Sequence, residues 1–336
     1  MKNKKMRSIN VDAIKGLGIL SVILLHTFHT EFLLKIGAPF HIWQAVPVFI
    51  ILQGLNLANS YKRRGYETLK DFNDKQYHLR RIQRLIFPYL IFFTVQTLFL
   101  WLDTPDYFLE QNHFQRFITG GRGPGSYFVP LTIQTQILLP FFYLAGRKSV
   151  KGLLFGSFLL GTGLEVMSAT ANINEELYRI LILRFIFAIA LGVALALWEK
   201  NRFRNGIFYG LIGLSVLYIT GVMYFDWHFV MEHFWHSQHL PGFFYPLALI
   251  MWLRRASMSN QNVIFQVLRK IGRASYHIFF VQILYFWEPI KALRPELPML
   301  MGTIVNLMIC SVIGILFYHF EQRLWKIMKN LRNDSL

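Results

Sequence analysis

Apolar runs of about 20 residues, the length that crosses a bilayer as a helix, recur along the chain between short polar stretches. Ten of them stand out, over roughly residues 11–34, 41–60, 82–102, 127–145, 152–170, 178–198, 206–225, 240–253, 274–291 and 299–322. The eighth is short and holds Pro241 and Pro246. Only helices and closed barrels satisfy their own backbone where water is absent. Runs of this length therefore predict an all-α fold: a polytopic transmembrane helix bundle of about ten spans, one integral-membrane domain over residues 1–336. No internal repeat is visible, and the longest connections, about 61–81 and 103–126, fall near 20 residues.

The charges fall between the runs and give them a direction. With the N-terminus inside, 27 lysines and arginines lie in inside segments and 6 in outside ones. That imbalance is the positive-inside pattern, and it predicts cytoplasmic N- and C-termini. A soluble domain carries about 25% charged residues, whereas this chain carries 16%. The net charge of +17 is thus accounted for by topology, and no separate basic domain points to nucleic acid. The basic N-terminal residues precede a run too long for a signal peptide, with no small-residue cleavage site after it, so they lead into a retained first helix.

Metal chemistry has little support. Cys310 is the single cysteine, and no Cys/His ligand spacing occurs. The outer segment 226–239 holds His228, His233, His236 and His239 among Trp227, Phe229, Phe234 and Trp235. An aromatic, hydrogen-bonding surface suited to sugar stacking fits it better than a metal site.

Ionisable residues inside a span are costly and mark candidate sites. The first run holds Asp12, Lys15 and His26. Eleven residues are just over three turns, so Lys15 and His26 share a helix face, with a rise of about 16 Å between them. Small residues Gly16, Gly18 and Ser21 lie between, leaving room for a close neighbour or a thin substrate arm. Imidazole suits proton exchange near neutrality, and a packing histidine is the other reading of His26. His29, one turn on, reads as polar lining. Arg81 and Arg84, one turn apart at the inner mouth of the third run, suit phosphate groups or serve as plain inside anchors. Glu165 and Arg184 flank a short outer loop at similar depth, as a structural ion pair or as an acceptor-binding pair.

In order along the chain, these segments resemble the membrane-bound acyltransferase-3 family. Asp12-x-x-Lys15, ten residues and then His26 resembles its opening Asp-x-x-Arg…His. Gln53-Gly54 stands where its second helix has Ser-Gly. Arg81-x-x-Arg84 with Pro88-Tyr89 resembles its Arg-x-x-Arg and proline-aromatic motif, and Gly123 to Pro130 its glycine-rich entry to the fourth helix. Ile271 to Gln282 is similar to its Ser-Tyr segment of the ninth helix, and Glu321 to its closing glutamate. Two positions depart: Lys15 replaces an arginine, losing the bidentate fork, and Gln282 replaces a histidine.

The resemblance implies transfer of an acyl group, commonly acetyl, from a cytoplasmic coenzyme A thioester to a hydroxyl of a cell-envelope polysaccharide or glycolipid. The expected setting is the plasma (inner) membrane. Acyl-CoA enters as donor substrate, acetyl-CoA first and succinyl-CoA open, and no cofactor is permanently bound. Lys15, Arg81 and Arg84 are expected to hold the donor and His26 to act as base. Asp12 is expected to orient Lys15, the donor's pantetheine arm to pass the glycine face of the first helix, and Glu165 and Arg184 to line the acceptor side. A glycan or lipid-linked sugar exporter is the competing reading of the same charges.

Overall fold

The computed structural model describes residues 9–198, 206–229, 236–255, 262–293 and 295–334. Among them are sixteen α-helices joined by turns and short 3-10 segments, and no strand. In chain order they are α1 (Ile9–Thr27), α2 (Thr30–Lys35), α3 (Ala45–Arg64), α4 (Lys75–Asp103), α5 (Pro105–Glu110), α6 (His113–Ile118), α7 (Phe128–Lys148) and α8 (Val150–Thr170). There follow α9 (Glu175–Ile180), α10 (Ile186–Leu197), α11 (Gly206–Tyr224), α12 (Phe244–Arg255), α13 (Val263–Arg273), α14 (Ser275–Tyr285), α15 (Glu288–Ala292) and α16 (Met299–Asp334).

Seven of these are long and apolar enough to cross a membrane: α1, α3 with the 3-10 turn before it, α4, α7, α8, α11 and α16. They match the first, second, third, fourth, fifth, seventh and tenth predicted runs. On the least buried of them, lipid-like exposure supports the assignment. On α16, Leu300, Ile304, Met308, Val312, Leu316 and Phe320 form an exposed stripe at every fourth position, a face that water would penalise.

The sixth, eighth and ninth runs are broken, and the first is shortened. The first run ends early, because α1 stops at Thr27 and α2 starts afresh at Thr30. In the sixth, α9 gives way at an extended Leu181 to a 3-10 turn, and only Ile186–Leu197 is α-helical. The Gln134 amide fills that gap, donating to the Ile180 carbonyl at 2.7 Å and accepting from the Ile182 N–H at 3.0 Å. In the eighth, Pro241 sits in a 3-10 turn and α12 starts at Phe244. In the ninth, α14 ends at Tyr285, since Pro289 has no N–H to offer the Tyr285 carbonyl.

The chain forms two compact units, each assembled from separate segments. The first comprises residues up to 29, 81–126 and 257 onward. In it α1 packs on α13, α14 and α16. The contact with α13 is made backbone to backbone: a side chain at Gly16 would strike the Leu268 carbonyl, and one at Gly272 the Asp12 carbonyl. The second unit comprises 30–80 and 127–256. Its centre is α10, buried on nearly all sides against α3, α7 and α8. Gly54 on α3 faces Gly192 on α10, where a side chain at Gly192 would strike the Ile51 carbonyl. Small residues at such crossings let helix backbones approach closely.

Gly272→Val and Gly192→Val are therefore expected to lower the thermal unfolding midpoint in detergent, by the equivalent of about 1–3 kcal/mol or more. Gly156→Ala and Gly163→Ala, at positions where an added methyl meets nothing within 4 Å, are expected to leave it unchanged.

Candidate functional site

In the first unit, α1 carries Asp12, Lys15 and His26 on one unbroken helix. Asp12 is buried, and its Oδ2 lies 3.6 Å from Nε of the half-exposed Arg273 on α13. The expected orienting role toward Lys15 thus has a second claimant for the same carboxylate. Lys15 is half-buried, Arg81 is half-buried and Arg84 is exposed. Pro88 lies inside α4, so the Arg84 carbonyl loses its helical donor. The next carbonyl, Leu85, accepts the Tyr276 hydroxyl of α14 at 3.1 Å. That bond joins the arginine turn of α4 to the start of α14, three residues beyond Arg273. The cations of α1, α4 and α13 thus belong to one unit, in which α1 packs on α13 and α4 is tied to α14.

The glycine face of α1 is not open where it was expected to pass a donor arm. At Gly16 it is covered by the backbone of α13 at Leu268. Of the two uses foreseen for that small residue, the close neighbour is the one realised.

His26 stands in the last turn of α1, because the helix ends one residue later rather than continuing to residue 34. It is half-buried, its ring centroid 5.9 Å from that of Phe286. Among the described residues, no group hydrogen-bonds either ring nitrogen. Beside it the Asn306 amide of α16 donates to the Thr27 hydroxyl at 3.2 Å and accepts from the Tyr285 hydroxyl at 2.8 Å. These bonds fix the helix end without engaging the imidazole.

The second unit brings Glu165 and Arg184 together, both nearly fully buried. The Tyr178 hydroxyl donates to the Glu165 carboxylate, at 3.0 and 2.9 Å from its two oxygens. With that proton committed, His239 Nε2 donates to the Tyr178 oxygen at 3.3 Å, and the Tyr218 hydroxyl donates to His239 Nδ1 at 3.3 Å. The Arg184 guanidinium lies 4.5 Å from the Phe185 ring centroid, 5.5 Å from that of Tyr178 and 5.6 Å from that of Tyr127. Glu165 and Arg184 thus have partners within the fold. Of the histidine-rich segment, His239 joins this network and His228 is exposed. Residues 230–235, with His233, Phe234 and Trp235, lie outside the described residues.

Three groups of residues were given no role from the sequence, although Glu321 and Gln282 were matched to family positions. His277 and Glu321 form a buried pair, Nε2 to Oε2 2.6 Å, and Trp325 Nε1 donates to the other carboxylate oxygen at 2.8 Å. Both are ionisable residues within apolar runs, the signal that raised His26. Arg269 and Arg273 had been counted only as inside anchors, although their i, i+4 spacing places them on one face of α13. Gln282, standing where the family has a histidine, donates to the Pro124 carbonyl at 3.3 Å and so holds the glycine-rich segment before α7.

That segment, residues 120–125, is a collar tied to α4 by Gln96. The Gln96 amide donates to the Arg122 carbonyl at 2.7 Å and accepts from the Arg122 N–H at 2.8 Å. Gly121 and Gly123 have φ of 90° and 104°. A side chain would meet Gln96 and Phe92 at the first and Ile283 at the second, each at 2.9 Å. Only glycine fits both the left-handed backbone and the close approach. Burial first, and then the neighbouring Arg116, push the Arg122 guanidinium below its usual value.

His277→Leu and Glu321→Leu are each expected to lower stability by about 1–3 kcal/mol, the cost of leaving a buried partner unsatisfied. The double variant is expected to lose less than the sum, as read from thermal midpoints in a double-mutant cycle.

A family model described as an acyltransferase domain matches residues 8–320. No curated protein and no solved structure matches the chain. The family match takes in α1 with His26, the arginine turn of α4, the glycine-rich collar and all of the second unit. With seven helices suited to crossing a membrane, this is a multi-pass membrane protein. The chain belongs to the membrane acyltransferase-3 family, and it is an acyltransferase.

Proposed function

We propose that the protein is an O-acyltransferase of about ten spans, N- and C-termini cytoplasmic, in the plasma membrane. It moves an acyl group, acetyl in the first instance and succinyl as the alternative donor, from cytoplasmic acyl-CoA to a hydroxyl of a cell-envelope polysaccharide or glycolipid. Family membership favours this reading over an exporter.

The observation that carries it is His26: an imidazole at a helix end, with no described hydrogen-bond partner, in the same compact unit as Lys15, Arg81 and Arg84. The cations hold the donor's phosphates, Arg81 and Arg84 through planar forks and Lys15 as a point charge. Asp12 and Arg273 set the charge balance around Lys15. His26 takes the proton of the acceptor hydroxyl as its oxygen attacks the thioester carbonyl. The C–O bond forms, the C–S bond breaks, and the proton passes from the imidazolium to the departing thiolate. About 16 Å of helix rise separates Lys15 from His26, so the pantetheine arm links the two along a path other than the covered face at Gly16. Glu165 and Arg184 support the acceptor side by holding Tyr178 and Tyr127 in place.

Purified protein given radiolabelled acetyl-CoA and cell-envelope glycans tests the reading, with label transfer to the glycan expected. His26→Ala is expected to abolish transfer while expression and thermal midpoint stay normal; full turnover would remove His26 from the mechanism. Arg81→Ala and Arg84→Ala are expected to weaken coenzyme A binding by roughly tenfold or more each, since a charge-assisted phosphate contact contributes roughly 1.5–3 kcal/mol. Unchanged affinity in both would return them to inside anchors.

A further inference from the structure

We propose that Arg122, on the glycine-rich collar, is the cation of an oxyanion subsite that takes a phosphate or carboxylate group from a ligand. Arg122 is 8% exposed, and its Nε and both terminal nitrogens are buried with no hydrogen-bond partner among the described residues. No described side chain bonds its guanidinium nitrogens, and the neighbouring charge, Arg116, is of the same sign. A guanidinium does not lose its proton in a protein, so the charge persists. An unpaired buried charge is strongly unfavourable, and nothing in the collar offsets it.

The collar is nonetheless built to hold this residue in place. Both backbone polar groups of Arg122 are clamped by the fully buried Gln96. The glycines on either side lie flush against Phe92 and Ile283. The Tyr89 hydroxyl of α4 ties down the Phe117 carbonyl just upstream. A fixed backbone carrying an uncompensated planar cation is the arrangement that receives an oxyanion, because the fork donates to two oxygens at once and costs little reorganisation. Two sources supply that chemistry: an acidic sugar, or the phosphate of a lipid. That the sugar is the acyl acceptor rests on the function proposed above; the subsite itself does not.

The test uses the full chain purified in neutral detergent. Thermal midpoints are measured with inorganic phosphate, with glucuronate, and with phosphatidylglycerol against phosphatidylcholine, each at ionic strength matched by sodium chloride. At least one of the three anions is expected to raise the wild-type midpoint. Arg122→Gln is expected to abolish that rise and, without anion, to unfold at or above the wild-type temperature, since it removes an unpaired charge. Arg122→Lys, a cation without the fork, is expected to need roughly tenfold more ligand, while Arg116→Gln, an exposed control, keeps the response. A rise with glucuronate assigns the sugar source, and one with phosphatidylglycerol or phosphate assigns the phosphate source. The proposal is overturned if no anion moves the wild-type midpoint, if Arg122→Gln responds as wild type does, or if Arg122→Gln fails to fold or melts lower without anion. Loss of acyl transfer plays no part in these readouts, so a failed subsite and a failed acyltransferase assignment remain distinct results.

Discussion

A backbone amide or carbonyl that lacks a partner costs several kcal/mol in hydrocarbon, and this constraint organises both units. Where helices run on, they satisfy themselves. Where they break, a side chain supplies what is missing: Gln134 bridges Ile180 and Ile182, and Gln96 clamps both backbone groups of Arg122. Glutamine recurs because its amide donates and accepts at once. The breaks so stabilised lie next to charged side chains, Arg122 and Arg184.

Where helices meet, the complementary device is the absence of a side chain. Gly16 and Gly272 bring α1 and α13 together, and Gly54 and Gly192 do the same for α3 and α10. Lipid tails are as apolar as leucine, so burying leucine drives no association in a bilayer; contact must come from shape. Large apolar residues are accordingly free to face outward, as along α16. The first crossing has a chemical result as well, since it seats the Asp12 carboxylate against Arg273.

Much of this was legible in the sequence, for identifiable reasons. Length and hydropathy located the seven long helices, because a bilayer imposes a minimum run that a window of residues detects. The motif around Asp12, Lys15 and His26 survived as one helix. The interruption at residues 181–185 was not legible. Its partner is distant in sequence: Gln134 lies 46 and 48 residues from the backbone groups it satisfies. A run that reads as continuous apolar helix gives no local sign that a remote amide will accept its broken ends. His26 was placed about halfway along a run reaching residue 34, and it lies in the last turn of the shorter α1. Glu165 and Arg184 were correctly set near one another, but their tyrosine and histidine partners come from α9, α11 and the turn before α12, which no spacing rule connects. The His277–Glu321 pair is 44 residues apart, and nothing but the fold joins it.

The first unit opens with the earliest helix and closes with the last ones. The helix that bears Asp12 and His26 is therefore synthesised long before Arg273 and Gly272 exist. At roughly 5–20 residues per second, α1 waits on the order of ten seconds to a minute in the bilayer for the helix that fits it, while the second unit is being made in between. A carboxylate on the waiting helix has to be tolerated by the insertion machinery without its arginine, so its position two residues from the start of the span places it where headgroups and water still reach. The order of manufacture and the placement of that charge are in this sense one design: the costliest group on α1 sits at the end that can stay wet until its partner arrives.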